Sequence, residues 1–267
     1  MKIIDISKHN GTIDFNAVKA AGVQGVMIRS SWGHFREDER FRENVQGCLD
    51  AGLPFGFYHY SYALNEEEAH AEVDGFLNLI KDFKPELPVA IDMEDADGYK
   101  AKNGTLYKKA LNTSICDIFC SKCEEAGYYA MIYCNLDWTK TKLNMDDLAR
   151  YDLWLARWGS TIPGRKCGMW QYTSDGRVNG INGRVDMNKA YVDYPAVIKE
   201  NGLNGFRGSE QPEEPVNDHS DEWGKRVELN GELRILWSDD TNLFLGRGAD
   251  DTVEAFTANR KYFTVIG

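Results

Sequence analysis

At 267 residues the chain has room for one large domain, or for a barrel-sized domain of about 200 residues with a small appendage. Hydrophobic residues make up 42% and aromatics 12%, which excludes a disordered chain, and no apolar run approaches the roughly 20 residues of a membrane span. A formal charge of -11 argues against binding to nucleic acid or to an anionic membrane surface, since both attract cationic patches, and makes a neutral polymer or a small molecule the natural partner.

The N-terminal stretch "MKIIDISKHNG" has its apolar run broken by Asp5, so it lacks the apolar core of roughly 7 to 15 residues found in a signal peptide. The protein is therefore expected to stay in the cytoplasm, to leave by a route that needs no signal, or to be a mature form whose leader is absent. From there short β-rich runs alternate with longer amphipathic ones. "KIIDIS" precedes "DFNAVKAAG", "GVMIRSSW" precedes "DERFRENVQGCLDAG", and "PFGFYHYSY" precedes "NEEEAHAEVDGFLNLIKDF". "LPVAIDMED" then precedes a helix from about Tyr107 to Ala126, and "YYAMIYCN" a shorter one near Asp137 to Lys142. Gly22, Gly52 and Gly127 stand where helix C-caps belong. Alternation of this kind implies parallel strands joined by helical crossovers. After Tyr151 the runs "LWLARW", "GMWQYT" and "GRVDMNKAYV" are strand-like, with little room for helices between them. Eight strands point to a closed α/β barrel whose last three strands are joined irregularly. A doubly wound open sheet is the alternative, but "DISKHNG" is not the Gly-rich phosphate turn it would normally carry after its first strand.

Residues 202–222, "GLNGFRGSEQPEEPVNDHSDE", hold one Arg against six acids and few apolar residues, and read as an acidic linker. Residues 223–267 contain the β-like pieces "GELRILWS", "TNLFLGR" and "KYFTVIG". About 45 residues fold alone only marginally, so this β-rich module is expected to dock on something or to self-associate. Of the six cysteines, Cys116, Cys120 and Cys123 share one helix face. They read as small buried apolar residues, because neither a CxxC pair nor a nearby His completes a metal site.

The chemistry-bearing stretch is "AIDMED", residues 90–95, where an apolar strand breaks into Asp92, Glu94 and Asp95. In a strand Asp92 and Glu94 share a face, with Cα atoms about 6.5 Å apart, while Met93 and Asp95 take the other face. Close carboxylates repel, so one of them tends to keep its proton, which makes a general acid at neutral pH. A lone D-x-E triplet can also be an exposed acidic loop start. Other runs carry acids in the same way, however. Asp5 closes "KIID" and Asp186 sits in "GRVDMN", and in a closed barrel the first and last strands are neighbours, so four carboxylates at equivalent strand ends could share one rim. Tyr58, Tyr60, Tyr133, Trp158, Trp170, Gln171 and Tyr172 fall at other strand ends. Aromatic faces stack on sugar rings while amides and phenols pair with hydroxyls, so acids ringed by such groups suit a carbohydrate cleft. His59 alternates with Tyr58 and Tyr60, and is read as structural. No metal is expected, since the D-x-[DN]-x-[DN]-G loop is absent and no His pairs with the acids.

Taken together, "IIDISKHNG", "GVMIRSSWG", "GLPFGFYHYSYA", "VAIDMED", "MIYCN", "LWLARW" and "MWQYTSDGRVNGINGRVDMN" resemble glycoside hydrolase family 25, the N-acetylmuramidases of phage endolysins and bacterial wall hydrolases. The resemblance covers about residues 1 to 200. It implies a catalytic (β/α)5β3 TIM-like barrel over 1–201 and cleavage, without cofactor, of the β-1,4 bond between N-acetylmuramic acid and N-acetylglucosamine in bacterial peptidoglycan. It implies Glu94 as general acid/base and Asp92 as the holder of the substrate's 2-acetamido group or stabiliser of charge at the anomeric carbon. Asp5 and Asp186 match the family's other two acids, and Tyr58, Tyr133, Trp158 and Gln171 fall in segments that line its groove. Retention with the acetamido group as internal nucleophile is expected, beside a direct aspartyl nucleophile. An endolysin would wait in the cytoplasm until released to the wall. The readings that compete are a catalytically inactive wall-binding barrel and a chitinase-like glycosidase, whose D-x-x-D-x-D-x-E run is absent. The C-terminal module is expected to anchor the protein to the wall or to dimerise, against a plain structural extension.

Overall fold

The computed structural model describes residues 1–161 and 164–206 in full and, beyond them, the backbone of three strands. The chain divides into two units, Met1–Gln211 and Pro212–Gly267. In chain order the first contains β1 (Lys2–Ile6), α1 (Phe15–Ala20), β2 (Gly25–Trp32), β3 (Arg36–Glu37), α2 (Phe41–Ala51), β4 (Phe55–Tyr60), α3 (Glu66–Ile80) and β5 (Val89–Asp92). These are followed by α4 (Tyr99–Lys102), α5 (Lys109–Glu125), β6 (Ala130–Asn135), α6 (Leu136–Thr141), β7 (Asp152–Ala156), β8 (Met169–Gly176), β9 (Val185–Ala190) and α7 (Tyr194–Glu200).

Hydrogen-bonded neighbours run β1-β9-β8-β7-β6-β5-β4-β2, and β1 also pairs with β2, so the sheet closes on itself with β3 as a short arm on β2. Closure excludes the open doubly wound sheet. All barrel pairings are parallel except those of β9, which is antiparallel to both β8 and β1. This is the expected α/β barrel, with helices after the first five barrel strands and, among the described residues, none between the last three.

Local chemistry explains the element ends. The side chains of Asp14, Asn65 and Asn135 accept hydrogen bonds from the first-turn amides of Ala17, Glu68 and Trp138, satisfying donors that α1, α3 and α6 leave free. Gly22, Gly52 and Gly127 adopt φ of 80°, 59° and 80°, the left-handed conformation that ends a helix most cheaply at glycine.

Strand alternation creates two cores. Ile4, Ile28, Phe57, Ile91, Ile132 and Leu155 face outward into the layer beneath the helices, where Cys116, Cys120 and Cys123 of α5 also lie as buried free thiols. Ile3, Met27, Ala90, Met131, Trp154 and Met169 fill the barrel interior. Tyr194 and Ile198 of α7 join the interior cluster, and the Tyr194 hydroxyl donates to Asp152 at the start of β7 over 2.8 Å. α7 therefore plugs the barrel at the end where the parallel strands begin.

Some expectations differ from the structure. The one-turn α4 and the helix α7 were not anticipated. α7 is short, but it is marked by Asp193, whose side chain accepts from the Ala196 amide, and by Pro195 in its first turn. Residues 202–206, expected as the start of the linker, pack against the barrel. Fully buried Asn204 donates to the Pro85 and Leu87 carbonyls at 2.7 and 3.0 Å and accepts from the Tyr129 amide at 2.8 Å. Asn204→Ala leaves these groups without their partner and puts alanine at φ 55°. It is expected to cost roughly 3 kcal/mol, read as a lower urea midpoint of tryptophan fluorescence, whereas an unchanged midpoint would mean that water replaces the amide. The rest of the expected linker, 207–222, lies outside the described residues.

In the second unit β10 (Leu233–Ser238), β11 (Asn242–Arg247) and β12 (Glu254–Asn259) form an antiparallel sheet in chain order. The expected strand "KYFTVIG" lies outside the described residues, and "EAFTAN", which the sequence reading does not mark, forms β12.

Candidate active site

Asp92 is the last residue of β5, level with Tyr60 on β4 and Tyr133 on β6. Asp5, near the end of β1, pairs directly with Asp186 on β9. The expectation of four equivalent strand ends is wrong for Asp186, which is the second residue of its strand. It reaches the same rim because β9 runs backwards, bringing its beginning to where the parallel strands finish. Met93 faces the outer core, and Asp95 turns away to cap α4, accepting from the Lys100 and Ala101 amides at 2.7 and 3.0 Å.

A hydrogen-bonded chain fixes Asp5 from below. Asp5 Oδ2 accepts from Asn188 Nδ2 at 2.8 Å and Gln171 Nε2 at 3.1 Å. Gln171 Oε1 in turn accepts from the Tyr133 hydroxyl and Trp158 Nε1, each at 3.1 Å, and Asn188 Oδ1 accepts from Trp154 Nε1 at 2.7 Å. Each amide thus has its oxygen and nitrogen assigned by its neighbours.

Every one of the four carboxyls is held above its ordinary range, first of all by burial. Asp5 is raised further by the charge of Asp186, while the hydrogen bonds from Asn188 and Gln171 oppose the rise. Asp92 is raised further by Glu94 and Asp5, with the Arg29 guanidinium opposing them. Glu94 is pushed up to about 7 by burial, then by Asp186, Asp97 and Asp95. Asp92 Oδ1 is buried without a hydrogen-bond partner. A buried acceptor left unpaired is costly unless something outside the chain pairs with it.

Above the acids three cavities adjoin one another. Glu94, Tyr133, Asn135, Ala156 and Trp158 line one of about 380 Å³. Trp158 also borders a polar cavity of about 700 Å³ with Asp186, Ser7, Asn10, Ser174 and Arg184. His9 links that one to an aromatic cleft of about 280 Å³ lined by Arg29, Trp32, Tyr60, Tyr62 and Asp97. The result is a groove across the barrel mouth with Glu94 in its wall.

The predicted binding residues divide accordingly. Tyr133 and Trp158 line the groove, Trp158 on its rim at 64% exposure. Gln171 is buried beneath it and donates to Asp5. Tyr58 sits deeper, packed edge-on against Trp154 with its hydroxyl 3.4 Å from the Ile6 carbonyl. Trp170 and Tyr172 point outward, because they alternate with Gln171, and line a separate cavity with Met1, Lys2 and Lys189. His59 also faces outward, stacked on Phe119 and bonded to Ser31. Sequence reasoning missed Trp32, Tyr62 and Asn188. Only Asn188 carried a signal, two residues from Asp186 on the same strand face. Among the described residues no three His, Cys, Asp or Glu side chains are grouped as a metal ion would need, and no helix is long and apolar enough to cross a membrane.

The sequence model of glycosyl hydrolases family 25 matches residues 4–181, two thirds of the chain. The chain belongs to that family. The matched region contains Asp5, Asp92 and Glu94 and stops five residues short of Asp186. Among family relatives, the autolytic lysozyme of Clostridium acetobutylicum is 30% identical over 191 residues, 71% of this chain and 55% of that protein. Lysozyme M1 of Streptomyces globisporus is 29% identical over 196 residues, 70% of this chain and 66% of that one. The chain thus spans between half and two thirds of these curated relatives. Similar solved structures include the catalytic domain of endolysin ply40 from bacteriophage P40 of Listeria monocytogenes. It has 29% identity and a TM-score of 0.60, covering 74% of this chain and 96% of that one. The CTP1L endolysin has 28% identity and a TM-score of 0.61, covering 74% and 69%.

Proposed function

We propose that this family 25 barrel is a peptidoglycan hydrolase that cuts the β-1,4 bond between N-acetylmuramic acid and N-acetylglucosamine, with Glu94 as general acid/base. The observation that carries the reading is a carboxyl poised near neutral pH in the wall of a sugar-sized groove, beside a buried Asp92 oxygen that lacks a partner. Glu94 gives its proton to the leaving glycosidic oxygen as the bond to the anomeric carbon breaks. The substrate's acetamido oxygen closes on that carbon from the opposite face, while Asp92 accepts the acetamido N–H and stabilises the positive charge it gains. Water then opens the intermediate, returning its proton to Glu94 and leaving the configuration retained. Asp5 and Asp186 hold the floor of the site, and Tyr133 and Trp158 flank the sugar.

Mass spectrometry of digested peptidoglycan tests the reading. The expected fragments carry N-acetylmuramic acid at the new reducing end. N-acetylglucosamine there would indicate a glucosaminidase, cleavage of chitin oligomers alone a chitinase-like enzyme, and wall binding without fragments an inactive barrel. The pH profile gives a second check. Glu94 must be protonated to act, so turnover of soluble glycan is expected to fall about tenfold per pH unit above a limb near pH 7, and a profile flat across that limb would remove Glu94 from the acid role.

The substrate places the site of action at the bacterial cell wall. For the second unit we propose wall anchoring or self-association. Removing residues 208–267 is expected to weaken binding to walls far more than turnover of small fragments, and unchanged wall affinity together with an unchanged oligomeric state would sink both roles.

A further inference from the structure

We propose that Lys100 is a positioning residue, locking the segment that carries Glu94 to the segment that builds the aromatic cleft so that the acid and the sugar platform move as one unit. The proposal rests on the reading of Glu94 as general acid and deepens it.

After β5 the chain passes through Glu94 and Asp95 into α4, four residues long and too short to be stable by its own hydrogen bonds. Something else must hold it. The Asp95 carboxylate takes the Lys100 and Ala101 amides, and from that capped turn the Lys100 side chain runs inward, 1% exposed, to place Nζ 2.9 Å from the carbonyl of Ala63. Ala63 lies in the segment after β4, which carries Tyr62 of the cleft and follows directly on Tyr60, the last residue of β4. That segment is pinned from behind by Glu72 of α3, 2% exposed, whose carboxylate accepts from the Ser61 hydroxyl at 2.7 Å and the Tyr62 amide at 2.9 Å.

The exposed side is stitched in parallel. Tyr60 Oη accepts from the Ala96 amide at 3.1 Å, the Tyr62 hydroxyl donates to Asp97, and the Tyr62 and Tyr99 rings stack with centroids 4.4 Å apart. Solvent competes for the two polar stitches, whereas the Lys100 contact is buried. An apolar side chain would fill the same space without the cost of burying an ammonium, a cost seen in the lowered proton affinity of Lys100. Filling space therefore does not require a lysine. What the ammonium supplies, and a methyl group cannot, is a directional bond that sets the distance between the two segments.

The test is steady-state kinetics of the full chain on soluble glycan oligomers, at about pH 5.5, below the limb near pH 7, so that Glu94 of the wild type is protonated, and well below the unfolding temperature. Lys100→Met is expected to lower kcat about 10- to 100-fold with KM changed less than about threefold, since a small displacement of a catalytic group costs rate rather than binding. Asp95→Ala removes the half-buried outer end of the same lock without opening the core, and is expected to lower kcat in the same direction with KM unchanged. Wild-type kcat in both variants overturns the proposal, as does a loss in Lys100→Met that vanishes once rates are normalised to folded protein. Glu94→Gln, measured alongside, separates the two levels. If it is inactive while both positioning variants turn over normally, only the lock fails; if it is active, the acid assignment fails and the lock with it.

Discussion

Glu94→Gln is expected to lower turnover of purified wall glycan by about a thousandfold or more, the scale on which a positioned general acid contributes, while leaving the fold intact. Glutamine keeps the volume and a hydrogen-bonding end, but it has no proton to give to the leaving oxygen. The same substitution makes an independent prediction about stability. Glu94 has its folded-state carboxyl raised to about 7 from an ordinary value of 4.5, so the folded chain binds this proton more tightly than the unfolded one. Its favourable contribution is complete below the unfolded value and is lost as pH rises through the folded one. Across that window the wild-type chain pays to ionise a half-buried carboxyl among Asp186, Asp97 and Asp95, whereas the glutamine variant does not. Unfolding midpoints measured at acid and at mildly alkaline pH should therefore diverge, with the variant gaining on the wild type as pH rises. Near-normal lysis by the variant would refute the acid assignment, and a variant that loses ground with pH would refute the burial account of the raised carboxyl.

Asp92→Asn is the second large effect. Asp92 Oδ1 is buried and unpartnered, an arrangement that suits an acceptor kept for a substrate N–H. An asparagine oxygen can still accept that bond, but the neutral amide offers no charge to the positive acetamido group of the intermediate. A fall in kcat of about 10² to 10³, comparable to removing one preorganised electrostatic contact, is expected with a much smaller change in KM. Mass spectrometry of the intact wild-type enzyme during turnover should find no sugar bound to the protein. A glycosyl ester on Asp92 of the wild-type enzyme would replace the acetamido route with a covalent one.

The two substitutions act on neighbouring groups, so their effects should not add. Removing Glu94 takes away one of the charges that raise Asp92. The double variant is therefore informative about coupling only when measured beside both single variants.

Much of this molecule was legible from local chemistry alone. The period-two runs ending in "VAIDMED" and "MIYCN", the 3.6-residue periodicity between them and the glycines after α1, α2 and α5 specify strands, helices and their ends through contacts a few residues apart. Alternation likewise separated Asp92 and Glu94 from Met93 and Asp95, and put His59 on the opposite face from Tyr58. What local patterns could not show is anything that depends on which strand lies beside which. The reversal of β9 brings the start of a strand to the rim where the others end, and so places Asp186 against Asp5. A strand's own sequence does not encode the direction in which it is paired. Trp170 and Tyr172 face away from the groove because they alternate with Gln171, so once Gln171 is known to point inward the local pattern already turns them outward. Trp32 and Tyr62 reach the groove through the closure of the barrel and the packing of the segment after β4. Nothing in the sequence singles out Lys100, because the Ala63 carbonyl that its buried ammonium meets lies 37 residues away in the chain. Acid and base types are written residue by residue, but their proton affinities come from desolvation and mutual distance, and these exist only once the barrel has closed.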